Sequence, residues 1–352
     1  MKTTARENTF RVLSLGISVL LLLYIFQNVD FPSAVRAVSA IGFIGLVVAI
    51  AYFVGCIFDT FAWKLLLPSG TSISFLRLLC IHIAGESFYR FIPAGAVAGE
   101  SVKVMLLKKY SPSEYPVIVS SIVLRKLFMG ISQAFYIGSA VLMGCAASGF
   151  TRFGSLEMTG VVLALLLLAF FSVFSYWILK GSIGMRVHRM LMKVPIKSIH
   201  QRIASKGKKF EETDEVLNKT IQERKAKVAF ATLFFFFGWL TELAETALIL
   251  YLIGITLSIS DIVMFEPVVS LLRSIAFMVP GGLGVMDAGY VSALKSFDVH
   301  NAAVLSTAFV LLKRGKEVLW ICVGMILTVI LSGNTAGGLV KDVTPSVAGE
   351  HA

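Results

Sequence analysis

The chain has 352 residues, of which 57% are hydrophobic and only 15% are charged, and its formal net charge is +11. Soluble domains contain roughly 45–50% apolar and about 25% charged residues, so this composition excludes a soluble globular protein. The low charge also excludes a disordered chain. The four cysteines, Cys56, Cys80, Cys145 and Cys322, are scattered through apolar stretches, which argues against a disulfide scaffold.

Long apolar segments predict a multi-pass helical membrane protein. About 20 apolar residues are needed for a helix to cross the ~30 Å hydrocarbon layer, whereas the strands of a membrane barrel are about 10 residues long and alternate in polarity. The apolar segments here are long and do not alternate. We predict membrane-spanning helices near residues 10–28, 41–66, 116–143, 158–180, 228–254 and 301–332.

Two further apolar segments, 73–109 and 261–297, are each interrupted by proline and glycine. Backbone amides without partners cost several kcal/mol in lipid, so such bends persist only where they are buried in protein or line a wet cavity. We therefore predict two broken, re-entrant helical hairpins. The predicted hinge residues are Pro93, Gly95 and Gly99 in the first hairpin and Pro280, Gly281, Gly282 and Gly284 in the second.

The segment 180–227 is strongly basic, with thirteen Lys or Arg residues and five Asp or Glu residues. The positive-inside rule places it in the cytoplasm, together with the basic N-terminus and Lys103, Lys108 and Lys109. With six crossings, both termini then face the cytoplasm. We interpret the basic segment as an amphipathic helix beside anionic lipid headgroups, and a nucleic-acid partner is not expected.

The two broken segments match each other in sequence. Three crossings separate the start of the first matched unit from the start of the second, so the two copies are predicted to be inverted. Inverted repeats with interrupted helices are typical of alternating-access transporters. We define residues 41–145 as the first half and residues 228–333 as the second half of a single polytopic membrane domain, residues 1–352. Pro93, Gly95, Glu100 and Lys126 precede Pro280, Gly282, Asp287 and Lys313 by 187 residues each.

Ionisable residues inside predicted membrane segments are candidates for the functional site, because each costs at least ~2.5–3.5 kcal/mol at the centre of a membrane helix. Guanidinium groups match phosphate oxygens in geometry, so we expect inward-facing Arg and Lys side chains to receive a lipid phosphate. For Arg125 and Arg314 a structural role remains open. The basic candidates are Arg90, Arg125, Lys126, Arg273, Lys313 and Arg314; Asp59, Glu86, Glu242 and Glu245 accompany them.

The acids Glu100 and Asp287 have two interpretations. Each lies shortly after a predicted bend, where a carboxylate in the first turn of a helix caps it and offsets its dipole. Alternatively, each pairs with a basic residue of the other half or receives a cationic headgroup. Glu86 and Arg273 occupy equivalent positions seven residues before each proline, and a cross-repeat ion pair between them is a further hypothesis.

Two motifs resemble those of the lysylphosphatidylglycerol synthase transmembrane family, the flippase-like domain also found in the multiple peptide resistance factor. They are Arg90-Phe91-Ile92-Pro93-Ala94-Gly95-Ala96-Val97-Ala98-Gly99-Glu100 and Pro280-Gly281-Gly282-Leu283-Gly284-Val285-Met286-Asp287-Ala288. The resemblance covers about residues 10–335 and implies a lipid-translocating domain with a basic residue after each hairpin, where Arg125 and Arg314 lie. Family members often have an acid shortly after the first of these arginines, where this chain has Leu127-Phe128. The soluble aminoacyl-transferase domain is expected to be absent, so lysyl transfer is not expected.

The sequence thus predicts an all-α integral membrane protein with about six transmembrane helices and two re-entrant hairpins in an inverted repeat. We expect a flippase that moves an anionic phospholipid or isoprenoid-linked lipid across the cytoplasmic membrane. No phosphate-binding Gly-x-x-x-x-Gly-Lys-Ser/Thr loop is present, so ATP hydrolysis is not expected. The alternative is a membrane-embedded lipid-modifying enzyme of the phosphotransferase type, although no catalytic triad is evident. No cofactor or metal is expected, and a homo-oligomer remains open.

Overall fold

The computed structural model describes residues 31–68, 71–91, 95–148, 183–193, 207–263, 265, 285–296, 299 and 302–333, with a few helical residues between 162 and 173. Within these residues the regular structure is helical, as the sequence predicts. The helices are α1 (Phe31–Ile41), α2 (Val47–Leu66), α3 (Phe75–Phe91), α4 (Gly95–Tyr110), α5 (Tyr115–Ser148), α6 (Ile183–Lys193), α7 (Gly207–Glu223), α8 (Lys225–Leu252), α9 (Val285–Ser296) and α10 (Ala302–Ser332), and a 3-10 turn (Gly42–Leu46) joins α1 to α2.

Four of the predicted spans are confirmed as helices that are long and apolar enough to cross a membrane. Large apolar side chains cover their outer surfaces, and Phe43, for example, is 90% exposed. Such a surface is suited to lipid contact. The predicted spans 10–28 and 158–180 lie outside the continuously described segments. The four confirmed helices comprise Val38–Leu66, Tyr115–Ala140, Lys225–Leu252 and Val304–Ser332.

The first broken segment forms two helices, α3 and α4, that pack along each other. They approach closely because Gly85 and Gly99 face each other, so a Cβ on Gly99 would press on the Gly85 carbonyl oxygen. Gly95 is the first residue of α4 and has no room for a side chain against the Tyr89 carbonyl. The prediction that Gly99 is a hinge is therefore wrong, because Gly99 lies inside α4 at this helix contact.

Part of the second broken segment is described. Helix α9 forms its second arm and packs against α10, and residues 259–263 are helical at its beginning. The predicted hinge residues Pro280, Gly281, Gly282 and Gly284 lie outside the described residues, as do Pro93 and the candidate site residue Arg273. Whether the broken segments are re-entrant stays a prediction.

Contacts at the two ends of the helix bundle show which helix termini lie together. At one end, Arg224 Nη1 donates to the Leu67 carbonyl at 2.7 Å, and Lys109 Nζ donates to the Ser332 carbonyl at 2.8 Å. At the other end, Val48 packs in one apolar cluster with Ile255 and Leu294. The base of the first hairpin therefore lies with the ends of α2 and α10, whereas α9 ends near the start of α2. The opposite orientation of the two hairpins stays a prediction, because most of the first arm of the second hairpin lies outside the described residues.

The described part of the basic segment forms the helices α6 and α7. Asp214 of α7 accepts hydrogen bonds from the backbone N–H groups of Gly184 and Met185, at 2.6 and 3.0 Å, and so caps the first turn of α6. Leu217 of α7 packs into an apolar cluster with Leu66 and Leu124. The amphipathic segment is thus attached to the membrane-spanning helices.

Candidate functional site

A set of ionisable side chains, which we call the first cluster, lies where the first hairpin packs against α2 and α5. Such residues within a membrane bundle are costly unless they are paired. In this cluster every carboxylate lies within 4 Å of a cationic nitrogen. The first cluster comprises Asp59 of α2, His82 and Glu86 of α3, Glu100 and Lys103 of α4, and Arg125 and Lys126 of α5.

Arg125 is the centre of the first cluster and has no exposed surface. Its Nη2 lies 3.3 Å from Glu86 Oε1, and its Nη1 lies 3.3 Å from Glu100 Oε1. His82 Nδ1 lies 3.2 Å from Arg125 Nη2. Because a guanidinium only donates, this contact requires His82 Nδ1 to be an acceptor and the imidazole to be neutral. Arg125 therefore joins α5 to both arms of the first hairpin.

Lys103 is also fully buried, which the sequence did not indicate. Its Nζ lies 2.8 Å from Glu86 Oε1 and 3.2 Å from Glu100 Oε1. Lys103 is therefore a buried member of the first cluster, and its predicted place on the cytoplasmic side of the membrane stays a prediction. The available signal was its position three residues after Glu100 on the same helix, where the two side chains face the same side.

The structure separates the two interpretations of Glu100 and Asp287. Glu100 is the sixth residue of α4 and lies beyond the first turn, so the helix-cap interpretation is wrong for this residue. Asp287 does lie in the first turn of α9, and Arg314 Nη2 is 2.7 Å from its Oδ1. The described partners of both acids belong to their own halves, so the contacts do not show the cross-repeat pairing proposed for them.

A second cluster of ion pairs surrounds the middle of α10. Glu245 is buried between Lys313 Nζ at 3.0 Å and Lys316 Nζ at 2.6 Å. Arg314 pairs with Asp287 and also with Glu317, at 2.5 Å. The second cluster comprises Arg90 of α3, Glu245 of α8, Asp287 of α9, and Lys313, Arg314, Lys316 and Glu317 of α10.

One ion pair of the second cluster joins the two halves. Arg90 Nη1 of α3 lies 2.9 Å from Glu317 Oε1 of α10. The sequence singled out Arg90 but missed Glu317, whose signal was its spacing of three residues from Arg314 on one helix face. The hypothetical pair of Glu86 with Arg273 is not tested, because Arg273 is outside the described residues; the described partners of Glu86 are Lys103 and Arg125.

A cavity of about 110 Å³ lies between α2, α3, α5 and α8, and residues of both halves line it. Of the cations in the two clusters, Arg90 and Lys126 reach its wall. The side chain of Lys126 is 39% exposed, whereas its neighbour Arg125 is 0% exposed. An anionic ligand can therefore reach Lys126, whereas Arg125 is already surrounded by carboxylates. The remaining charged lining residues are Asp59, Glu86, Glu242 and Glu245, beside the aromatic residues Tyr52, Tyr89 and Trp239.

Helix positions follow the same spacing as the matched motifs. Helices α5 and α10 begin 187 residues apart, at Tyr115 and Ala302, and α2 and α8 end 186 residues apart, at Leu66 and Leu252. Asp59 and Glu245, also 186 residues apart, each face a cation of the helix after their own hairpin, Arg125 and Lys313 respectively. The boundaries of the repeat units stay a prediction.

Comparison with known proteins adds one finding. The sequence model of a protein family described as the lysylphosphatidylglycerol synthase TM region matches residues 11–314. No curated protein matches the chain, and no solved structure does. The family match covers both clusters apart from Lys316 and Glu317, and it supports a function related to membrane lipids.

Proposed function

Because the chain belongs to the lysylphosphatidylglycerol synthase transmembrane family, we propose that it is a lipid flippase. It moves an anionic phospholipid or an isoprenoid-linked lipid between the leaflets of the cytoplasmic membrane without ATP hydrolysis. In this proposal both termini and the basic segment 180–227 face the cytoplasm, where anionic headgroups are neighbours of the basic helices. The observation that carries the proposal is the charged cavity between membrane-spanning helices, which both halves line.

The phosphate of the lipid binds at Arg90 and Lys126. Both side chains line the cavity, and each has a carboxylate close by among the described residues: Glu317 at 2.9 Å from Arg90 and Glu100 at 2.8 Å from Lys126. A phosphate competes with these carboxylates for the same cations. The cavity is smaller than a typical small-molecule site of roughly 300–1,000 Å³, so it receives a headgroup while the acyl tails remain in the bilayer.

Alternating access follows from the position of these two cations. Arg90 lies at the end of the first arm of the first hairpin, and its partner Glu317 lies on α10 of the second half. A headgroup phosphate that binds Arg90 replaces Glu317 as its partner and so weakens the contact between the halves. One half then moves against the other around the bound phosphate. Arg125 has a positioning role, because its guanidinium holds Glu86 and Glu100 in place.

The test uses the purified chain in vesicles with a trace of fluorescent phosphatidylglycerol, and measures how fast the label in the inner leaflet becomes accessible to an external quencher. We expect the chain to accelerate exchange, and the double variant Arg90→Ala with Lys126→Ala to reduce it at least tenfold. Lys209→Ala, which removes an exposed lysine of α7, serves as the matched control and should exchange at the full rate.

Exchange no faster than in protein-free vesicles would contradict the flippase proposal. The same vesicles test the enzyme alternative, because mass spectrometry of their lipids detects any covalent change. We expect the lipid masses to be unchanged after incubation with the chain. A modified lipid that appears only with active protein would favour the lipid-modifying enzyme instead.

A further inference from the structure

Asp59 is the most loosely paired carboxylate of the two clusters. Its Oδ2 lies 3.8 Å from Arg125 Nη2 and 3.9 Å from His82 Nε2, beyond hydrogen-bond distance. The carboxylates of Glu86, Glu100, Glu245, Asp287 and Glu317 each have a cationic nitrogen at 2.5–2.8 Å. Asp59 thus stands apart within the clusters, because none of its described ion pairs is a close one.

The carboxylate of Asp59 faces the cavity, and 21% of its side chain is exposed. Gly238 of α8 lies opposite, where a Cβ would approach Asp59 Oδ1 to 2.8 Å. A larger residue at position 238 would cover the carboxylate, so this glycine keeps it accessible from the cavity. The titratable and charged groups around Asp59 are Cys56 on its own helix, His82 and Glu86 on α3, Lys103 on α4, Arg125 on α5 and Glu242 on α8.

Formal charges in this region are balanced in the described residues. The two clusters contain seven Lys or Arg side chains and six carboxylates, and Glu242 on the cavity wall is the seventh carboxylate. Among the described residues, an anionic headgroup that enters the cavity therefore finds no surplus cation to offset its charge. Such a charge is costly unless a cation accompanies it or a carboxylate becomes neutral.

Among the carboxylates of the two clusters, Asp59 is the one that becomes neutral at least cost. Protonation of Glu86, Glu100 or Glu245 removes the charge from a close ion pair and leaves a buried Lys or Arg without a full counter-charge. Protonation of Asp59 breaks no close pair. Because 21% of the Asp59 side chain is exposed and faces the cavity, the proton arrives from the solvent on the side to which the cavity is open and leaves to the solvent on the other side.

We propose that Asp59 carries one proton with each singly charged lipid, so that the flippase is an electroneutral proton–lipid symporter. This inference rests on the proposed function. In each cycle an O–H bond forms at the Asp59 carboxylate when the headgroup binds, and that proton is released to water when the headgroup leaves. A proton gradient, rather than ATP, then drives the lipid toward the alkaline side.

The experiment measures leaflet asymmetry in vesicles that contain the full chain, a trace of fluorescent phosphatidylglycerol and a pH gradient of about one unit. For one proton per lipid, we expect the label to accumulate about tenfold in the leaflet on the alkaline side, because one pH unit is a tenfold difference in proton activity. A pH-sensitive dye inside the vesicles should report proton entry together with lipid entry.

The variant Asp59→Asn keeps the shape of the side chain but cannot carry a proton. We expect it to exchange label between leaflets without accumulation and without response to the gradient. Glu114→Gln, which removes an exposed carboxylate that does not line the cavity, is the matched control and should still accumulate label. Accumulation of label by Asp59→Asn would contradict the assignment of the proton to Asp59.

Two further outcomes separate this proposal from the flippase function. Rapid exchange by the unmodified chain with no accumulation under the gradient would overturn proton coupling and leave the flippase function standing. An absence of exchange under any condition would overturn the flippase function, and proton coupling with it. Because the unmodified chain alone gives both readouts, the test does not depend on the folding of a variant.

Discussion

The first and second clusters contain the same kinds of side chain but connect different parts of the molecule. Around Arg125, every described ion pair joins residues of the first half. Around α10, the pairs continue from Asp287 through Arg314 and Glu317 to Arg90, which belongs to the other half. The first cluster therefore fixes the first hairpin to its neighbouring helices, whereas the second joins the two halves, which move against each other in the proposed function.

The largest effect should come from Arg125→Ala, which tests the fixing role of the first cluster. It leaves Asp59, Glu86 and Glu100 close together without their shared guanidinium, and loss of one partner of a buried ion pair costs about 3–5 kcal/mol. Unfolding in detergent measures the change in free energy. The control is Lys126→Ala, whose partly exposed pair should contribute within about 1 kcal/mol. Equal stability of the two variants would contradict this assignment.

A smaller loss is expected from Glu245→Ala in the second cluster. The change leaves Lys313 and Lys316 without their carboxylate, but Lys313 keeps the Thr246 hydroxyl at 3.0 Å and the Tyr290 ring at 5.5 Å. We expect a loss of about 2–3 kcal/mol in the free energy of unfolding. Glu245→Gln, which retains an acceptor oxygen, should lose less. A loss as large as that of Arg125→Ala would mean that the two clusters are equally important for stability.

The contact between the halves is tested by a double-mutant cycle on Arg90 and Glu317. We expect their coupling to be about 1–2 kcal/mol, because both side chains are mostly buried and their atoms are 2.9 Å apart. The same cycle on Lys126 and Glu100, a pair within one half, should give about 0.5 kcal/mol, since Lys126 is partly exposed. If the second coupling exceeds the first, Arg90 and Glu317 are not the stronger connection.

The smallest effect is expected outside both clusters, at the cap of α6. Asp214→Ala removes two hydrogen bonds to the backbone N–H groups of Gly184 and Met185, and loss of a helix cap costs about 1 kcal/mol. Lipid exchange should proceed at the normal rate, because Asp214 is not among the residues that line the cavity. A strong loss of exchange would place the basic helices in the transport cycle itself.

The confirmed spans were predictable because the length and apolar content of a segment decide whether it can cross a membrane. The start of α4 was harder to predict, since the small residues between Ala94 and Gly99 give no sharp boundary. This uncertainty of four residues produced both the wrong hinge at Gly99 and the wrong cap at Glu100. A boundary in a glycine-rich stretch depends on packing against α3, which the local sequence does not contain.

The sequence also could not show which of two neighbouring charged residues is buried and which faces the cavity. Arg125 and Lys126 were equivalent candidates, but successive residues on a helix point about 100° apart, so one is buried in the first cluster and the other reaches the cavity. Which of them faces the cavity depends on where α3 and α4 pack. For the same reason the burial of Lys103 and the ion pairs of Glu317 were missed.

The account depends most on the opposite orientation of the two hairpins, which side-specific cysteine labelling tests directly. In a background without Cys56, Cys80, Cys145 and Cys322, single cysteines replace Ser113, after the first hairpin, and Val299, after the second. We predict that a membrane-impermeant reagent reaches Ser113→Cys from the cytoplasmic side only and Val299→Cys from the opposite side only. Labelling of both positions from the same side would contradict the inverted arrangement.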